Sequence, residues 1–324
     1  MVENPFVMSR GYIEKTRGIA GSLDPRLVGR LQVLLSAAGF GTIGFFSKTA
    51  FHLGIDSTQL LALRFLVAAA ALWAYFLVFN RGAIRIGRKS LLTCAALGLA
   101  GYGIFSTLTF KAFENAPASI VGILFFSYPV FVIIIEWVAL KERPDIQLIL
   151  GALTILGGIG IGVAGAIEGN RVPGLLFAVG GSAWYAAYVV ATRRLLTNIR
   201  PQTVALYVIS FAALGFYFTG GPALKAMQSM SVGGWGVALG IGLLSTVVAI
   251  LSFFSVLEKL GSAEASQIGT FELLISLALA AFVLGETVNL SVMIGAGLIL
   301  VGMVMGQIKP APRPEDCPEE APCN

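Results

Sequence analysis

Charge is what this chain has least of. Asp, Glu, Lys and Arg make up 12% of its 324 residues, and there is a single histidine. Soluble domains carry about 25% charged residues, so this composition cannot cover a water-facing surface. The lone His52 has no cysteine or carboxylate cluster near it in sequence, which argues against a metal site or a histidine-based catalytic centre. Cysteine is scarce too. Cys94 falls within an apolar run while Cys317 and Cys323 lie close to the C-terminus, an odd count that argues against a disulfide framework. A cleavable signal is also missing: residues 1–29 hold Glu3, Arg10, Glu14, Lys15, Arg17, Asp24 and Arg26 with no continuous apolar stretch, and read as a short polar leader. No segment reads as nucleotide-binding and no cofactor is expected. The GIGVAG stretch at 160–165 fits a dinucleotide pattern only in spelling, because it lies inside an apolar helix, where Gly158 and Gly162 form a packing stripe. The Asn289-Leu290-Ser291 sequon sits at a span boundary and carries little weight.

What the chain has in abundance is apolar length. It is 56% hydrophobic, with a mean hydropathy of +0.85. Runs of about 20 residues are needed to cross the hydrocarbon as helices, and ten are read, at 30–50, 58–79, 90–110, 118–140, 146–166, 173–192, 202–219, 235–256, 263–284 and 289–308. These runs are apolar throughout rather than alternating, which selects helices over a β-barrel. The fold class is therefore all-α integral membrane. The Pro- and acid-rich end, 309–324, is expected to be a disordered tail.

The runs belong to two copies of one unit. FKAFENAPASIVGILFFSYPVFVIIIEWVALKE from Phe110 and FSVLEKLGSAEASQIGTFELLISLALAAFVLGE from Phe254 align without a gap. The same shift of about 144 residues pairs Gly98 with Gly242, Gly151 with Gly295 and Gly158 with Gly302. Repeats of 30–167 and 168–308 with five spans each must enter the membrane from opposite sides. Charge agrees with this. The net charge of +5 needs no nucleic-acid partner, because basic residues crowd alternate connections: Arg81, Arg85, Arg88 and Lys89, then Lys141 and Arg143, then Arg193, Arg194 and Arg200. The repeat counterpart of the 80–89 loop carries only Lys225. This bias places both termini in the cytoplasm, and the plasma (inner) membrane is the expected location. Inverted repeats are the arrangement of many secondary transporters, with sites near the midplane.

Arg64-Phe65, the FKAFENAPASIVGILFFSYPVF passage, Lys141-Glu142-Arg143, Gly151 and Gly157-Gly158, then Trp184, Gly285-Glu286-Thr287, Gly295 and Gly302, resemble the drug/metabolite transporter superfamily. Within it, the chain is similar to ten-span proteins built of two EamA-type repeats, over roughly residues 30–308. The resemblance implies a carrier of small metabolites, often exported, and does not name the cargo. The chain departs from the family at Glu272-Leu273, where a proline is common, so whether span nine bends as span four does is left open.

Individual residues sharpen this reading. Glu272 lies about nine residues into span nine with no Lys or Arg within a turn. An intramembrane carboxylate is a functional candidate, here for a cationic or amino group of the cargo or for a coupling proton. Tyr128-Pro129 at the middle of span four predicts a kink suited to gating. Arg64 lies roughly 9 Å below the outer end of span two, at ~1.5 Å per residue; it either snorkels to the headgroups or stands as a fixed cation, in a gating or coupling role, that pairs with a carboxylate or draws an anionic group of the substrate. In span six Trp184, Tyr185 and Tyr188 make an aromatic face, against the thin wall of Gly39, Gly41 and Gly44 in span one. The chamber wall is expected from Tyr128, Trp184, Tyr188 and Glu272, with Tyr102 and Ser245 from the repeat-related spans three and eight. Glu136 reads as interfacial, and Glu142 and Glu286 as caps on the helices that follow them. Membrane lipid and a small-molecule substrate are the expected partners. The leading reading is a secondary active exporter of amino-acid-like, amine or other small amphipathic compounds, working by alternating access. Uptake by the same fold, an integral membrane enzyme and a channel are the alternatives.

Overall fold

A computed structural model of the chain describes residues 25–164, 171–197, 199–219, 230–259 and 262–307. The polar leader before residue 25, the tail after 307 and the Lys225 loop lie outside the described residues. Within them the protein is helical with no strand. The segments are α1 (Leu27–His52), α2 (Ser57–Phe79), α3 (Arg88–Asn115), α4 (Ala118–Leu140), α5 (Ile146–Val163), α6 (Val172–Leu195), α7 (Pro201–Thr219) and α8 (Val232–Val256). They are followed by α9 (Ser262–Phe282) and α10 (Leu290–Met305). The first eight are each long and apolar enough to cross a membrane, whereas the apolar stretches of the last two, Ile268–Phe282 and Leu290–Met305, are shorter. Large apolar side chains such as Leu77, Phe79, Leu153, Leu176, Phe218 and Met293 are exposed on the outside of the bundle, as suits a surface solvated by lipid.

With lipid outside, burial of apolar area does not hold helices together, and close backbone approach takes over. Glycine supplies it. A Cβ on Gly158 would stand 2.6 Å from the Gly295 carbonyl oxygen, and one on Gly151 2.7 Å from that of Gly302. The pairs 151 with 302 and 158 with 295 make α5 and α10 run antiparallel. Elsewhere the two halves interleave: α1 packs on α8 and α9, while α6 packs on α3 and α4. Gly98 of α3 abuts the Val208 backbone of α7, and Gly242 of α8 abuts that of Arg64 on α2.

Four of the helices are irregular. α1 changes register at Thr42, between Gly41 and Ile43. α3 and α8 each contain a π-helical stretch, Leu97–Tyr102 and Gly240–Val248. α4 is broken at Phe126 and Ser127, where the Ser127 hydroxyl donates to the Leu124 carbonyl at 2.7 Å. The kink expected at Pro129 thus falls a few residues earlier. Pro129 sits in the first turn of the second piece, where its missing N–H leaves no bond unmade. α9 runs through Glu272-Leu273 without a break.

Candidate functional site

A cavity of about 620 Å³ lies between the two halves, within the range of small-molecule sites. One end is bounded by Arg64, Phe110 and Phe113, and the other by Glu136, Leu148 and Gln307. Its walls come from the irregular α1, α3 and α4 together with α5, α6, α9 and α10. The break in α4 turns Tyr128 and Pro129 inward, and Gly41 lets α1 approach the α9 backbone closely: a Cβ there would meet the Glu272 carbonyl oxygen at 3.1 Å.

Aromatic rings line the middle. Tyr185 is the hub, with ring centroids 4.6 Å from Phe105, 5.1 Å from Tyr128 and 5.4 Å from Phe125. Rings at these distances attract beyond simple burial, so the wall is preformed. Glu272 faces this wall within electrostatic reach of Tyr128 and Tyr185. Among the described residues no cation pairs with it. Glu136, at the far end, is held by Arg193 at 2.9 Å.

Arg64 is inside the bundle, 3% exposed, and does not snorkel. Its Nε donates to the Thr246 hydroxyl at 2.9 Å, and that hydroxyl donates to the Ile241 carbonyl at 2.9 Å, a link spanning one π-helical turn. The guanidinium carbon lies 5.2 and 5.4 Å from the Phe65 and Phe110 ring centroids. Tyr102 lines the same end of the cavity, within electrostatic reach of this guanidinium. Tyr102 and Thr246 occupy matching positions of the two repeats, so both π-helical stretches converge on one arginine.

Of the residues expected at the chamber wall or in gating and coupling, the fold brings together Glu272, Tyr128, Pro129, Tyr102 and Arg64 around the cavity. Three others are placed elsewhere. Trp184 is 42% exposed on the outer face, its indole N–H donating to the Ala100 carbonyl at 2.9 Å. Tyr188 stands behind the wall, 5.5 Å from Tyr102 and 6.0 Å from Tyr185. Ser245 is fully buried and shares a 2.8 Å hydrogen bond with Thr42, joining α8 to the register change in α1. The expected aromatic face is thus rotated: Tyr185 and Val189 line the cavity.

The EamA-like transporter family matches residues 27–163 and again residues 172–305. This chain belongs to that family. It is 23% identical over 295 residues to "Uncharacterized transporter YcbK" of Bacillus subtilis, covering 87% of this chain and 94% of that protein. An "Uncharacterized transporter" of Archaeoglobus fulgidus is 25% identical over 280 residues, covering 86% and 95%. A solved structure described as "Crystal structure of protein" matches with a TM-score of 0.60 at 19% identity, over 86% of this chain and 95% of that one, which shows the fold alone. The chain is therefore a multi-pass membrane transporter and not an enzyme.

The end of this EamA-like transporter beyond Phe110 and Phe113 is polar. A second pocket, of about 350 Å³, is lined by Lys48, His52, Glu114, Arg171 and Glu286. Folding thus sets His52 beside two carboxylates far from it in sequence, though among the described residues no group of three or more His, Cys, Asp or Glu is placed to hold a metal. Glu286 does cap a helix, but not the one that follows it. Its carboxylate accepts from the Ala118 and Ser119 N–H groups at 2.6 and 2.9 Å and from the Ser119 hydroxyl at 2.7 Å. The capped helix is α4 of the other repeat. Glu142 forms an exposed pair with Arg194 instead.

Proposed function

We propose that this transporter is a secondary active carrier that exports small amphipathic metabolites by alternating access. Its two halves, 30–167 and 168–308, form inverted five-helix repeats making ten spans, set in the inner membrane with both termini cytoplasmic. The observation that carries the reading is the cavity between the halves, where Glu272 and Arg64 stand beside an aromatic wall. The antiparallel glycine contacts of α5 and α10 and the reciprocal packing of α1 and α6 support the inversion. Arg193 and Arg194 belong to the basic connections read as cytoplasmic, and their partners Glu136 and Glu142 mark the same end of the bundle. With that end in the cytoplasm, the cavity leads from the membrane interior toward the side on which exported cargo is loaded. Opening to the opposite side separates the Glu286 clasp and the Phe110 and Phe113 floor.

Glu272 is the group we assign to the cargo's amino group or to a coupling proton. The test is flux in proteoliposomes with a panel of neutral, cationic and anionic aromatic metabolites, for the wild type and Glu272→Gln. If the carboxylate binds an amine, the variant loses amine counterflow and keeps that of neutral compounds. If it carries a proton, counterflow persists while accumulation driven by a pH gradient disappears. Unchanged flux and unchanged pH dependence remove Glu272 from the mechanism, and no flux of any panel member removes the carrier reading.

A further inference from the structure

The closed end of the cavity is built around a charge with no opposite charge beside it. Arg64 is 3% exposed, and among the described residues no carboxylate pairs with it. Burying a guanidinium is expensive unless its charge is matched. It carries five N–H donors, of which Thr246 takes the one on Nε. The two flanking rings offset part of the charge but accept no conventional hydrogen bond.

A second donor stands nearby. Ser106 lines the same cavity, is 1% exposed, and its hydroxyl has no hydrogen-bond partner among the described residues. Leaving a buried hydroxyl unsatisfied is costly, so its position calls for a ligand. Ser106 is one helical turn beyond Tyr102, residues at this spacing share a helix face, and Tyr102, Ser106 and Arg64 line the same cavity. Hydroxyls that can donate, together with a planar cationic fork, are complementary to a carboxylate.

We propose that Arg64, Ser106 and Tyr102 form a carboxylate subsite at the closed end of the cavity, so that the cargo is an organic acid whose body lies against Phe105, Phe125 and Tyr185. This rests on the carrier reading and names its substrate class. Glu272, across the aromatic wall, is then free to take a second, cationic group of the same cargo.

The probes are 3-phenylpropionate and 3-phenylpropanamide, alike in shape and differing in charge, titrated calorimetrically into the detergent-purified protein. The wild type should bind the acid at least about tenfold more tightly than the amide. Arg64→Lys keeps the charge but loses the fork, and Ser106→Ala removes only the hydroxyl; each should weaken the acid several-fold and leave the amide unchanged. Ser106→Ala should also leave the ligand-free melting temperature unchanged or higher, which a structural hydroxyl would not do. Equal binding of acid and amide, an acid preference untouched by both variants, or no acid binding overturns the subsite. Flux of neutral or cationic panel members without any acid also overturns it while leaving the carrier standing. Acid binding of the expected pattern with no flux of any compound supports the subsite and sinks the carrier.

Discussion

The two halves of this transporter use the same backbone devices and different side chains. Both carry a π-helical stretch in their third helix and a glycine, Gly98 or Gly242, pressed against the backbone of the other half's second helix. Both end their fourth helix with a left-handed residue, Lys141 or Gly285, followed by a glutamate whose N–H bonds back six residues. Yet Arg64 of the first half faces the cavity where its counterpart Val208 is core, and Tyr128-Pro129 is matched by Glu272-Leu273. Gly41 and Gly44 are matched by Tyr185 and Tyr188. Symmetry is thus kept where it closes the bundle and given up where a ligand would sit. A twofold-symmetric cavity would hold its charged groups in matched pairs; this one has a single guanidinium at its closed end, and its two carboxylates, Glu272 at the wall and Glu136 at the far end, are matched by Tyr128 and Ala280.

The most severe way to break the shared scaffold is at the α5–α10 contact. Gly158→Leu drives a side chain into the Gly295 carbonyl, a backbone atom that cannot swing aside. Overpacking typically costs about 1–3 kcal/mol, the upper end being expected against a fixed backbone atom, and the variant should lose its monodisperse peak in fluorescence-detected size-exclusion chromatography. Gly157, one residue earlier, has open space around its Cβ position, so Gly157→Leu is the matched control and should leave the peak intact. Similar behaviour of the two would mean that the close approach does not hold the helices together.

A smaller effect separates the two acidic caps. Glu286→Ala removes three hydrogen bonds to the start of α4 and should destabilise by about 1–2 kcal/mol. Glu142→Ala removes an exposed pair with Arg194 and should cost under ~1 kcal/mol. Melting temperatures in detergent compare them directly, and equal losses would deny that the repeat-related glutamates have diverged.

The duplication was legible because glycines and terminal glutamates recur at one fixed shift, and local sequence marks both. Glu272 and Tyr128 were legible as cavity groups because carboxylates and phenols are scarce in apolar runs, whereas Arg64 was legible only as a buried or snorkelling cation and its place in the cavity wall comes from the fold. The orientation of α6 was not. When lipid covers one side of a helix and apolar neighbours the other, no amphipathic stripe marks the inner face. Trp184 and Tyr185 are adjacent in sequence, and only packing against α3 and α4 sends the second inward. Nor were the π-helical stretches legible, since they are a hydrogen-bond register rather than a composition. Ser106 was missed for a related reason: serines are common in such helices, and what distinguishes this one is a partner it lacks.

The mildest test exchanges the two residues that end the fourth helices. Lys141 is the only non-glycine residue with positive φ among the described residues, at 57°, and Gly285 adopts 67° at the matching position. A side chain in the left-handed region costs about 1–2 kcal/mol. Replacing it with glycine recovers that strain but loosens the unfolded chain by about 0.4–1 kcal/mol. Lys141→Gly should therefore stabilise the transporter by a net ~0.5–1 kcal/mol, a small rise in melting temperature, and Gly285→Lys should lower it by a similar amount. The double exchange should return near to the wild type, because the two positions lie at opposite ends of the bundle and share no partner. A Lys141→Gly variant less stable than the wild type would assign the lysine a contact beyond its backbone, and the likeness of the two helix ends would then be one of shape without a shared cost.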